Sequence, residues 1–371
     1  MDFSFWEQDS WFSNIDFTVI GSGITGLNCA WELKKKHPKA KVLVLERGLL
    51  PNGASTKNAG FACFGSISEI LDDLNSHSEE EVVELVHKRV KGLHLLRENL
   101  GDENIDYKAN GGYELFTKQD QELFETCVSK MPKINSLLKP IFGTDVFSVR
   151  ENSFGFRNIQ DKLIYNRFEG QLDTGKMMTS LLYKVQSAGV RILNSTTVKE
   201  FVEMIDSVVV KTENFSLKTG KLFVATNGFA SQMGFSEVKP ARAQVLITKP
   251  IQNLALKGSF HLDKGYYYFR NVGERVLFGG GRNLDLKAEE TIDMNHTALI
   301  QDRLEELLKS SILPGQTFEI DQRWSGIMGV GEQKKPIIQK MSKNIFYSLR
   351  LGGMGVAIGS QVGKELAQLN N

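Results

Sequence analysis

Three glycines and one glutamate near the start of the chain have the spacing of a site for the phosphates and ribose of a dinucleotide. Gly21, Gly23 and Gly26 directly follow the apolar run 17–20, which is long enough for a buried strand but too short for a helix. The first glycine permits a tight turn, the second lets the backbone approach a pyrophosphate, and the third lets the next helix pack closely on the strand. Glu46 ends a second apolar run, where a carboxylate can accept hydrogen bonds from ribose hydroxyls.

A plainer interpretation makes Glu46 an ordinary solvated carboxylate at the end of a strand. The context favours the dinucleotide site, because a strand precedes the glycines and a helix follows them. In that helix Leu27, Ala30 and Leu33 share one apolar face. The motif alone leaves open which dinucleotide is bound.

Two further glycine-rich stretches lie farther along the chain. Residues 53–61 combine small residues with a lysine and an asparagine, which suits a backbone that passes close to a flat ligand and donates N–H groups to it. A flexible surface loop is the alternative, but Phe61, Ala62 and Phe64 favour burial. Residues 352–355 precede a predicted helix, whose N-terminal end would face an anion or a developing negative charge.

An aromatic strand in the last third of the chain supplies candidate pocket residues. Tyr266, Tyr268 and Arg270 alternate with Tyr267 and Phe269, so the two sets face opposite sides of the strand. One side must pack on the core, and the other either meets solvent or lines a pocket.

The composition indicates a globular protein of two domains, with 371 residues of which 41% are hydrophobic and 24% charged. The 45 Lys and Arg residues nearly balance the 44 Asp and Glu residues, which argues against a nucleic-acid or anionic-membrane partner. Cys29, Cys63 and Cys127 are too few and too scattered for a disulfide framework or a metal site, and they indicate a reducing compartment. Residues 1–12 lack the features of a signal peptide and no apolar run is long enough to span a membrane, so we expect a cytoplasmic protein without a transmembrane segment.

Several helices that must frame these residues can be located from caps and periodicity. Ser78 and Glu81 form a capping box that opens a helix to about residue 98. Arg89 is among the basic residues that follow its acidic first turn, as the helix dipole favours. We also expect helices over about 120–131 and 291–308.

The order of these elements resembles that of the FAD-dependent oxidoreductases of the D-amino-acid oxidase superfamily, and in particular its glycine oxidase and γ-glutamylputrescine oxidase branch. The resemblance covers nearly the whole chain and includes residues 170–173, 224–227, 240–244, 277–280 and 324–326. It implies FAD rather than NAD. It also implies an α/β (α+β) fold, in which a Rossmann-like FAD-binding domain adjoins a substrate domain built on a mixed or antiparallel β-sheet. The FAD-binding domain is expected over residues 1–80, 152–240 and 322–371, and the substrate-binding domain over residues 81–151 and 241–321.

The resemblance also assigns cofactor contacts position by position. It implies that the first glycine turn holds the FAD pyrophosphate, that Glu46 holds the ribose, and that residues 353–355 lie at the pyrimidine edge of the flavin. There the N-terminal end of the last helix would stabilise negative charge on the reduced ring. The expected contacts are Gly21, Gly23, Ile24, Thr25, Gly26, Glu46, Arg47, Ala54, Ser55, Lys57, Asn58, Ala59, Gly60, Phe61, Val198, Ala225, Thr226, Asn227, Gly228, Gly352, Gly353, Met354, Gly355 and Val356.

The sequence departs from the family pattern at three positions. Lys57 stands where related chains often have Arg, and keeps the charge without the bidentate fork. Met328 stands where the glycine oxidase type has an Arg for the substrate carboxylate, which shifts the expectation toward an amine without an α-carboxylate. Met354 stands where related chains often have His.

The FAD is expected to be bound non-covalently. Some relatives attach it to a cysteine in the C-terminal third, but no cysteine follows Cys127. Others attach it to a histidine in the second glycine-rich stretch, and residues 53–61 contain none.

The resemblance implies oxidation of a C–N bond of a small amine or amino acid by hydride transfer to FAD, with oxygen or another electron acceptor completing the cycle. In such a reaction the protein orients the substrate, excludes water and stabilises the reduced cofactor. The candidate catalytic and pocket residues are Tyr266, Tyr268, Gln244, Met328 and Met354, with Arg270 as an anion anchor. Two alternatives remain: an FAD-dependent 2-hydroxy-acid dehydrogenase on the same scaffold, and a non-catalytic flavin-binding partner protein.

Overall fold

The computed structural model describes residues 2–370. Its α-helices, in chain order, are α1 (Phe5–Glu7), α2 (Ile24–Lys36), α3 (Ala54–Lys57), α4 (Ile67–Asp73), α5 (Glu79–Leu100), α6 (Gln121–Phe142), α7 (Thr174–Ser187), α8 (Ala298–Leu307) and α9 (Gly355–Gln368). Its strands are β1 (Ile15–Ile20), β2 (Val42–Leu45), β3 (Phe61–Ala62), β4 (Gly112–Leu115), β5 (Phe147–Glu151), β6 (Lys162–Asn166), β7 (Gly170–Gln171), β8 (Arg191–Leu193), β9 (Val198–Met204), β10 (Ser207–Thr212), β11 (Ser216–Val224), β12 (Lys239–Thr248), β13 (Ser259–Leu262), β14 (Tyr267–Val272), β15 (Arg275–Gly280), β16 (Ile320–Val330), β17 (Ile337–Lys340) and β18 (Ile345–Leu349).

The first large sheet is mostly parallel and has the order β17-β18-β11-β1-β2-β8. Strand β1 lies parallel to both β2 and β11, and β18 joins the other side of β11. Strands β9 and β10 extend β11 as an antiparallel meander. The carboxyl ends of β1 and β11 therefore meet at one edge, which is where ligands bind in open parallel sheets.

The second large sheet has the order β16-β12-β15-β14-β13-β4-β6-β5. Its pairs are antiparallel except that β13 runs parallel to β4. Beside these sheets, β3 pairs with β7 in a small antiparallel ladder. The mixed and antiparallel second sheet confirms the expected fold class.

Apolar side chains form separate cores on the two sides of each sheet. Leu27 of α2, Phe223 of β11 and Val356 of α9 belong to the core between the first sheet and its helices. Stacked rings dominate the core of the second sheet, where Phe260 and Phe269 lie with centroids 4.7 Å apart. Helices α4, α5 and α6 bury a further apolar cluster.

Two helices differ from the expectation. Helix α6 does not end near residue 131 but continues through Pro132 and Pro140, because Ile134 and Leu138 extend its apolar stripe into the core. The helix expected from residue 291 begins at Ala298, since the carboxylate of Asp293 accepts the N–H of Asn295 and holds a turn that competes with helix.

The expected division into two domains stays a prediction, and two strands of the second sheet cross its boundaries. Strand β6 pairs with β4, and β16 pairs with β12, so both belong to the second sheet. The expected boundaries, however, put β6 and most of β16 in the FAD-binding domain. Among the helices of residues 2–370, none combines the length and apolarity needed to cross a lipid bilayer.

Candidate active site

A cavity of about 740 Å³ lies between the two large sheets and is lined by all three glycine-rich stretches. Strands β1 and β2 of the first sheet contribute one wall, and β12, β13 and β16 of the second contribute another. The cavity is therefore large enough to hold a sizeable ligand between the two sheets.

The first glycine turn brings the backbone to the cavity at the end of β1. Gly21 has a φ of +101°, and a Cβ there would lie 2.8 Å from the carbonyl oxygen of Ala225. A Cβ on Gly26 would overlap the carbonyl oxygen of Gly21. Gly26 itself is absent from the cavity lining, so it serves the close packing of α2 on β1.

Glu46 presents a fixed carboxylate at the same end of the cavity. Its Oε2 accepts the Ser22 N–H at 3.1 Å and the Ser22 hydroxyl at 2.7 Å, and its Oε1 accepts the Gly48 N–H at 2.9 Å. The Asn52 N–H is a fourth and longer donor, 3.4 Å from Oε1, so a ligand hydroxyl would share Glu46 with these protein donors. Val198, the first residue of β9, also lines the cavity. The Thr196 N–H, two residues earlier, donates to the Glu46 carbonyl and so holds this segment beside Glu46.

The second glycine-rich stretch is a folded segment and not a flexible surface loop. Asn58 Nδ2 donates to the Ser55 carbonyl at 2.7 Å, and Asn58 Oδ1 accepts the Gly60 N–H at 2.9 Å. Ser55 Oγ accepts the N–H of Ile24 at 2.9 Å, which ties this stretch to the start of α2. Gly60 does not line the cavity, because it packs against the carbonyl of Leu172.

The third glycine turn opens α9 toward the cavity. A Cβ on Gly355 would meet no atom within 4 Å, and one on Gly353 would meet only Met328 Sδ at 3.7 Å. Gly352 has a φ of +59°, and its N–H donates to the carbonyl of Gly329. The first N–H groups of α9 have no partners within the helix, so they face a space in which a ligand can accept from them.

The aromatic side of the cavity holds most of the expected pocket residues. Tyr266, Tyr268, Met328 and Met354 all line it. The ring of Tyr268 meets that of Phe61 edge-on at 5.5 Å, and burial raises the pKa of Tyr268 to about 12. Its hydroxyl is therefore protonated at neutral pH and can donate a hydrogen bond.

Gln244 and Arg270, which were expected in the pocket, do not line the cavity. Gln244 is completely buried and donates to Glu289 at 3.1 Å. Arg270 is buried as well and donates to the carbonyls of Ala59 and Leu172. Burial lowers the pKa of Arg270 to about 10, so its cation persists at neutral pH as a brace between backbone segments. Both expectations are corrected by these contacts.

Almost all of the expected cofactor contacts do line the cavity. They are Gly21, Gly23, Ile24, Thr25, Glu46, Arg47, Ala54, Ser55, Lys57, Asn58, Ala59, Phe61, Val198, Ala225, Thr226, Asn227, Gly352, Gly353, Met354, Gly355 and Val356. Besides Gly26 and Gly60, Gly228 is excluded, because it packs against the carbonyl of Met328.

A buried ion pair in the cavity wall was missed by the sequence reasoning. His261 of β13 lines the cavity, and its Nε2 lies 2.8 Å from Oε2 of Glu169. Burial alone would lower the pKa of His261, but the charge and hydrogen bond of Glu169 outweigh it and raise the pKa to about 9. His261 therefore carries a positive charge at neutral pH.

Arg89, Cys63 and Glu69 line the same part of the cavity and were also missed. Arg89 is buried, although the sequence suggested an ordinary basic residue of α5. Burial raises the pKa of the Cys63 thiol well above its ordinary value, and Cys63 Sγ lies 3.8 Å from Met354 Sδ.

Comparison with known proteins identifies the family. Residues 16–369 match the family described as DAO, FAD dependent oxidoreductase. The chain belongs to this family of FAD-dependent oxidoreductases. Similar curated proteins include a probable oxidoreductase OrdL from Haemophilus influenzae, 21% identical with 95% of this chain and 82% of the relative covered. A D-amino acid dehydrogenase from Helicobacter pylori is 22% identical, with 96% of this chain and 94% of the relative covered.

Solved structures of other enzymes share the fold. Glycine oxidase from Geobacillus kaustophilus superimposes with a TM-score of 0.75 at 18% identity, covering 96% of this chain and 94% of that one. Iminodiacetate oxidase from Chelativorans sp. BNC1 gives the same TM-score and identity, covering 95% and 94%. The expected resemblance and fold are confirmed, and the cofactor is FAD.

The cavity of this FAD-dependent oxidoreductase fits the cofactor. Gly53, Gly353 and Gly355 line it, and each faces space that a side chain would fill. The helix N-termini of α2 and α9 both begin at the cavity, where they favour negative charge. The two helix N-termini are neighbours, since a Cβ on Gly359 would lie 2.8 Å from Ile24, so together they favour an anionic ligand in the cavity.

Proposed function

We propose that this enzyme oxidises a C–N bond of a small amine or amino acid. FAD, when bound, supplies the hydride acceptor for this reaction. The observation that carries the proposal is the chamber beside the third glycine turn, where Tyr266, Tyr268, His261 and Arg89 line the cavity with Met354. The relatives support the class of reaction, since glycine oxidase and D-amino acid dehydrogenase are named for amino-acid substrates.

The proposed cofactor contacts are the expected residues that line the cavity. Gly21, Gly23 and the first turn of α2 would hold the pyrophosphate, and Glu46 would accept from the ribose. Gly353 and Gly355 would lie at the pyrimidine edge of the flavin, where the N-terminal end of α9 stabilises negative charge.

We propose that FAD is held without a covalent bond. Cys63 is the cysteine that lines the cavity, and its raised pKa keeps the thiol protonated, which makes it a poor nucleophile. Denaturing precipitation should release all of the yellow chromophore into the supernatant, and a chromophore that stays with the protein would contradict the proposal.

The substrate chamber is suited to orientation and not to elaborate acid–base chemistry. The protonated hydroxyl of Tyr268 can donate to a substrate, while Phe61 and Met328 supply apolar surface that excludes water. His261 is paired with the Glu169 carboxylate, so it contributes a hydrogen-bonded ion pair to the chamber wall.

Further features support a cytoplasmic enzyme with small-molecule partners. Cys29, Cys63 and Cys127 are all free and buried, as suits a reducing compartment. The near balance of charges supports the absence of a nucleic-acid partner. Oxygen or another electron acceptor would reoxidise the cofactor.

Anaerobic screening of the purified yellow protein tests the proposal. A panel of amines and amino acids is mixed with the holoenzyme, and loss of the visible flavin absorbance identifies a substrate. Air is then admitted, and fast reoxidation with peroxide formation distinguishes an oxidase from a dehydrogenase. Reduction by a 2-hydroxy acid and by no amine or amino acid of the panel would overturn the proposal.

A further inference from the structure

Arg89 is a buried cation at the substrate end of the cavity. It lies on α5, its side chain lines the cavity, and only 5% of the residue is exposed. Its Nη1 donates to the carbonyl oxygen of Phe64 at 2.8 Å. Its Nε is buried and has no hydrogen-bond partner among residues 2–370. A guanidinium has five N–H donors, so most of the capacity of this one is unused.

In the part of the chain that the structure describes, no neighbouring carboxylate forms an ion pair with Arg89. No carboxylate of the described residues lies within 4 Å of its guanidinium, which is the distance for an ion pair. Glu69 and Asp73 are near enough to influence its pKa, but each has another contact. Glu69 Oε2 accepts the N–H of Ser66 at 2.9 Å, and Asp73 pairs with Lys334 at 2.6 Å.

Two other cations at this end have carboxylate partners. Asp72 pairs with Lys264 at 2.9 Å, and His261 pairs with Glu169 at 2.8 Å. Arg89 is thus a buried cation with unused donors, whereas Lys264 and His261 have carboxylate partners and the less buried Arg282 lies over the ring of Tyr266. Burying a charge without a partner is costly, which indicates that a ligand supplies the missing anion.

Arg89 lies close to the third glycine turn, because α5 packs directly on α9. One turn after it, Gly92 packs so closely on α9 that a Cβ would overlap the carbonyl of Ala357. The thiol of Cys63, which is influenced by the charge of Arg89, lies 3.8 Å from Met354. Arg89 therefore approaches the chamber from α5, whereas Met328 lies on β16.

We infer that Arg89 binds the carboxylate of the substrate, so that the enzyme acts on an amine that carries a carboxylate. This inference rests on the proposed function and narrows its substrate class. It revises the expectation from Met328, because a cation from another element replaces the missing arginine of the Trp-Ser-Gly segment. A guanidinium is suited to the task, since its planar fork can make two parallel hydrogen bonds to a carboxylate.

The test compares an amino acid with its decarboxylated counterpart, such as proline with pyrrolidine or glycine with methylamine. The variants are R89M, which removes the charge at similar volume, and R89K, which keeps the charge without the fork. K91M serves as the matched control, because Lys91 is an exposed cation on the same helix. Anaerobic flavin reduction gives the apparent substrate affinity and the limiting rate for each pair.

We expect R89M to weaken the apparent affinity for the amino acid by about tenfold to a hundredfold, the worth of a charged hydrogen bond. The decarboxylated amine should change by no more than about twofold, R89K should lie between R89M and the native enzyme, and K91M should match the native enzyme. An equal loss for both members of the pair overturns the inference. Such a loss, accompanied by weaker binding of sulfite to the flavin, would assign Arg89 to the cofactor instead.

A second measurement uses the native holoenzyme and needs no substrate. Acetate and propionate should perturb the visible flavin spectrum at concentrations where acetamide and propionamide do not. If the neutral amides bind as well as the carboxylates, the inference fails, whether or not R89M folds. If carboxylates bind but nothing in the amine panel reduces the flavin, the carboxylate site stands and the proposed function fails.

Discussion

Nε2 of His261 lies 2.8 Å from Oε2 of Glu169, inside the wall of the cavity. Glu169 also accepts the Ser259 hydroxyl at 3.0 Å, so its charge is fixed at this place. At neutral pH the pair therefore places an imidazolium beside a carboxylate on a strand of the second sheet, in the same cavity lining as Tyr266 and Tyr268.

The pair makes stability depend on pH. The pKa of His261 in the folded protein is about 9, above its ordinary value of 6.5. The stabilisation is therefore fully present below about pH 6.5 and is lost as the pH rises through about 9. Chemical unfolding between about pH 6 and pH 10 should show this decline. E169Q should flatten it and lower the free energy of unfolding at pH 7 by about 3–5 kcal/mol.

The control for E169Q is E151Q, which removes a carboxylate from the exposed pair of Glu151 with Lys162. That variant should keep the native pH profile, because exposed ion pairs contribute little. A pH profile of E169Q that parallels the native one would contradict the prediction.

Glu114 should behave as a buried acid that is protonated near neutrality. Burial raises its pKa to about 7, although hydrogen bonds from Ser68 and Ser66 oppose the rise. The pKa of Glu114 in the folded protein exceeds its ordinary value of 4.5. The contribution of Glu114 to the free energy of unfolding is therefore fully present below about pH 4.5, and it is lost as the pH rises through about 7. The glutamine of E114Q cannot ionise. The free energy of unfolding of E114Q minus that of the native protein should therefore become more positive by about 2–3 kcal/mol from pH 5 to pH 8. A difference that stays constant across this interval in denaturant unfolding would refute the assignment.

Gly353 should be required for cofactor binding and not for folding. A Cβ there would point into the cavity and meet only Met328 Sδ, at 3.7 Å. G353V should weaken FAD binding at least about tenfold, on the order of 1.4 kcal/mol, while the apoprotein unfolds within about 1 kcal/mol of native. G175A, in α7 and outside the cavity lining, is the matched control. Titration of apoprotein with FAD measures the effect, and equal affinities for G353V and G175A would argue against the proposed site.

Arg270 should act on stability and not on substrate choice. Its guanidinium joins the carbonyls of Ala59 and Leu172, which belong to segments far apart in the chain. R270K keeps the charge but cannot span both, so the free energy of unfolding should fall by about 2–4 kcal/mol. The preference of the enzyme among amines and amino acids should not change. R157K, at an exposed arginine, should be neutral, and an altered substrate preference in R270K would restore Arg270 to the pocket.

The half of the cavity proposed to hold FAD was predictable because its signals are local. The spacing from Gly21 to Gly26 and the acid at Glu46 depend on one strand–helix–strand unit, whose geometry is nearly invariant. The same holds for residues 352–355, where glycines directly precede a helix. The structure places all of these except Gly26 on the cavity.

The half of the cavity proposed to hold the substrate was less predictable, because its side chains come from distant elements. Arg89 has a signal in the sequence, since Val82, Val86 and Leu93 put position 89 on the buried stripe of α5. His261 likewise alternates with Phe260 and Leu262, which face the core. Neither pattern indicates which side chains face Arg89 or His261 across the cavity. For His261, those neighbours depend on the pairing of β13 with β14 and β4.

The same limit explains the misplacement of Gln244 and Arg270. Alternation correctly puts Arg270 on the face of Tyr268, but it does not give the depth at which a long side chain ends. The partners Glu289 and Leu172 are fixed by tertiary packing alone. A buried polar side chain with protein partners and one that faces a ligand are indistinguishable before the fold is known.

The packing of α9 on α2 also constrains how the chain matures during synthesis. A Cβ on Gly363 would lie 2.5 Å from the carbonyl oxygen of Thr25, so the two helices share a seam with no room for a side chain. Strand β18 likewise completes the first sheet beside β11. The nascent nucleotide-binding unit therefore keeps one face of α2 and one edge of β11 uncovered until residues 345–368 have left the ribosome. Docking of this late segment is a long-range step, which makes it slow and exposes the intermediate to aggregation.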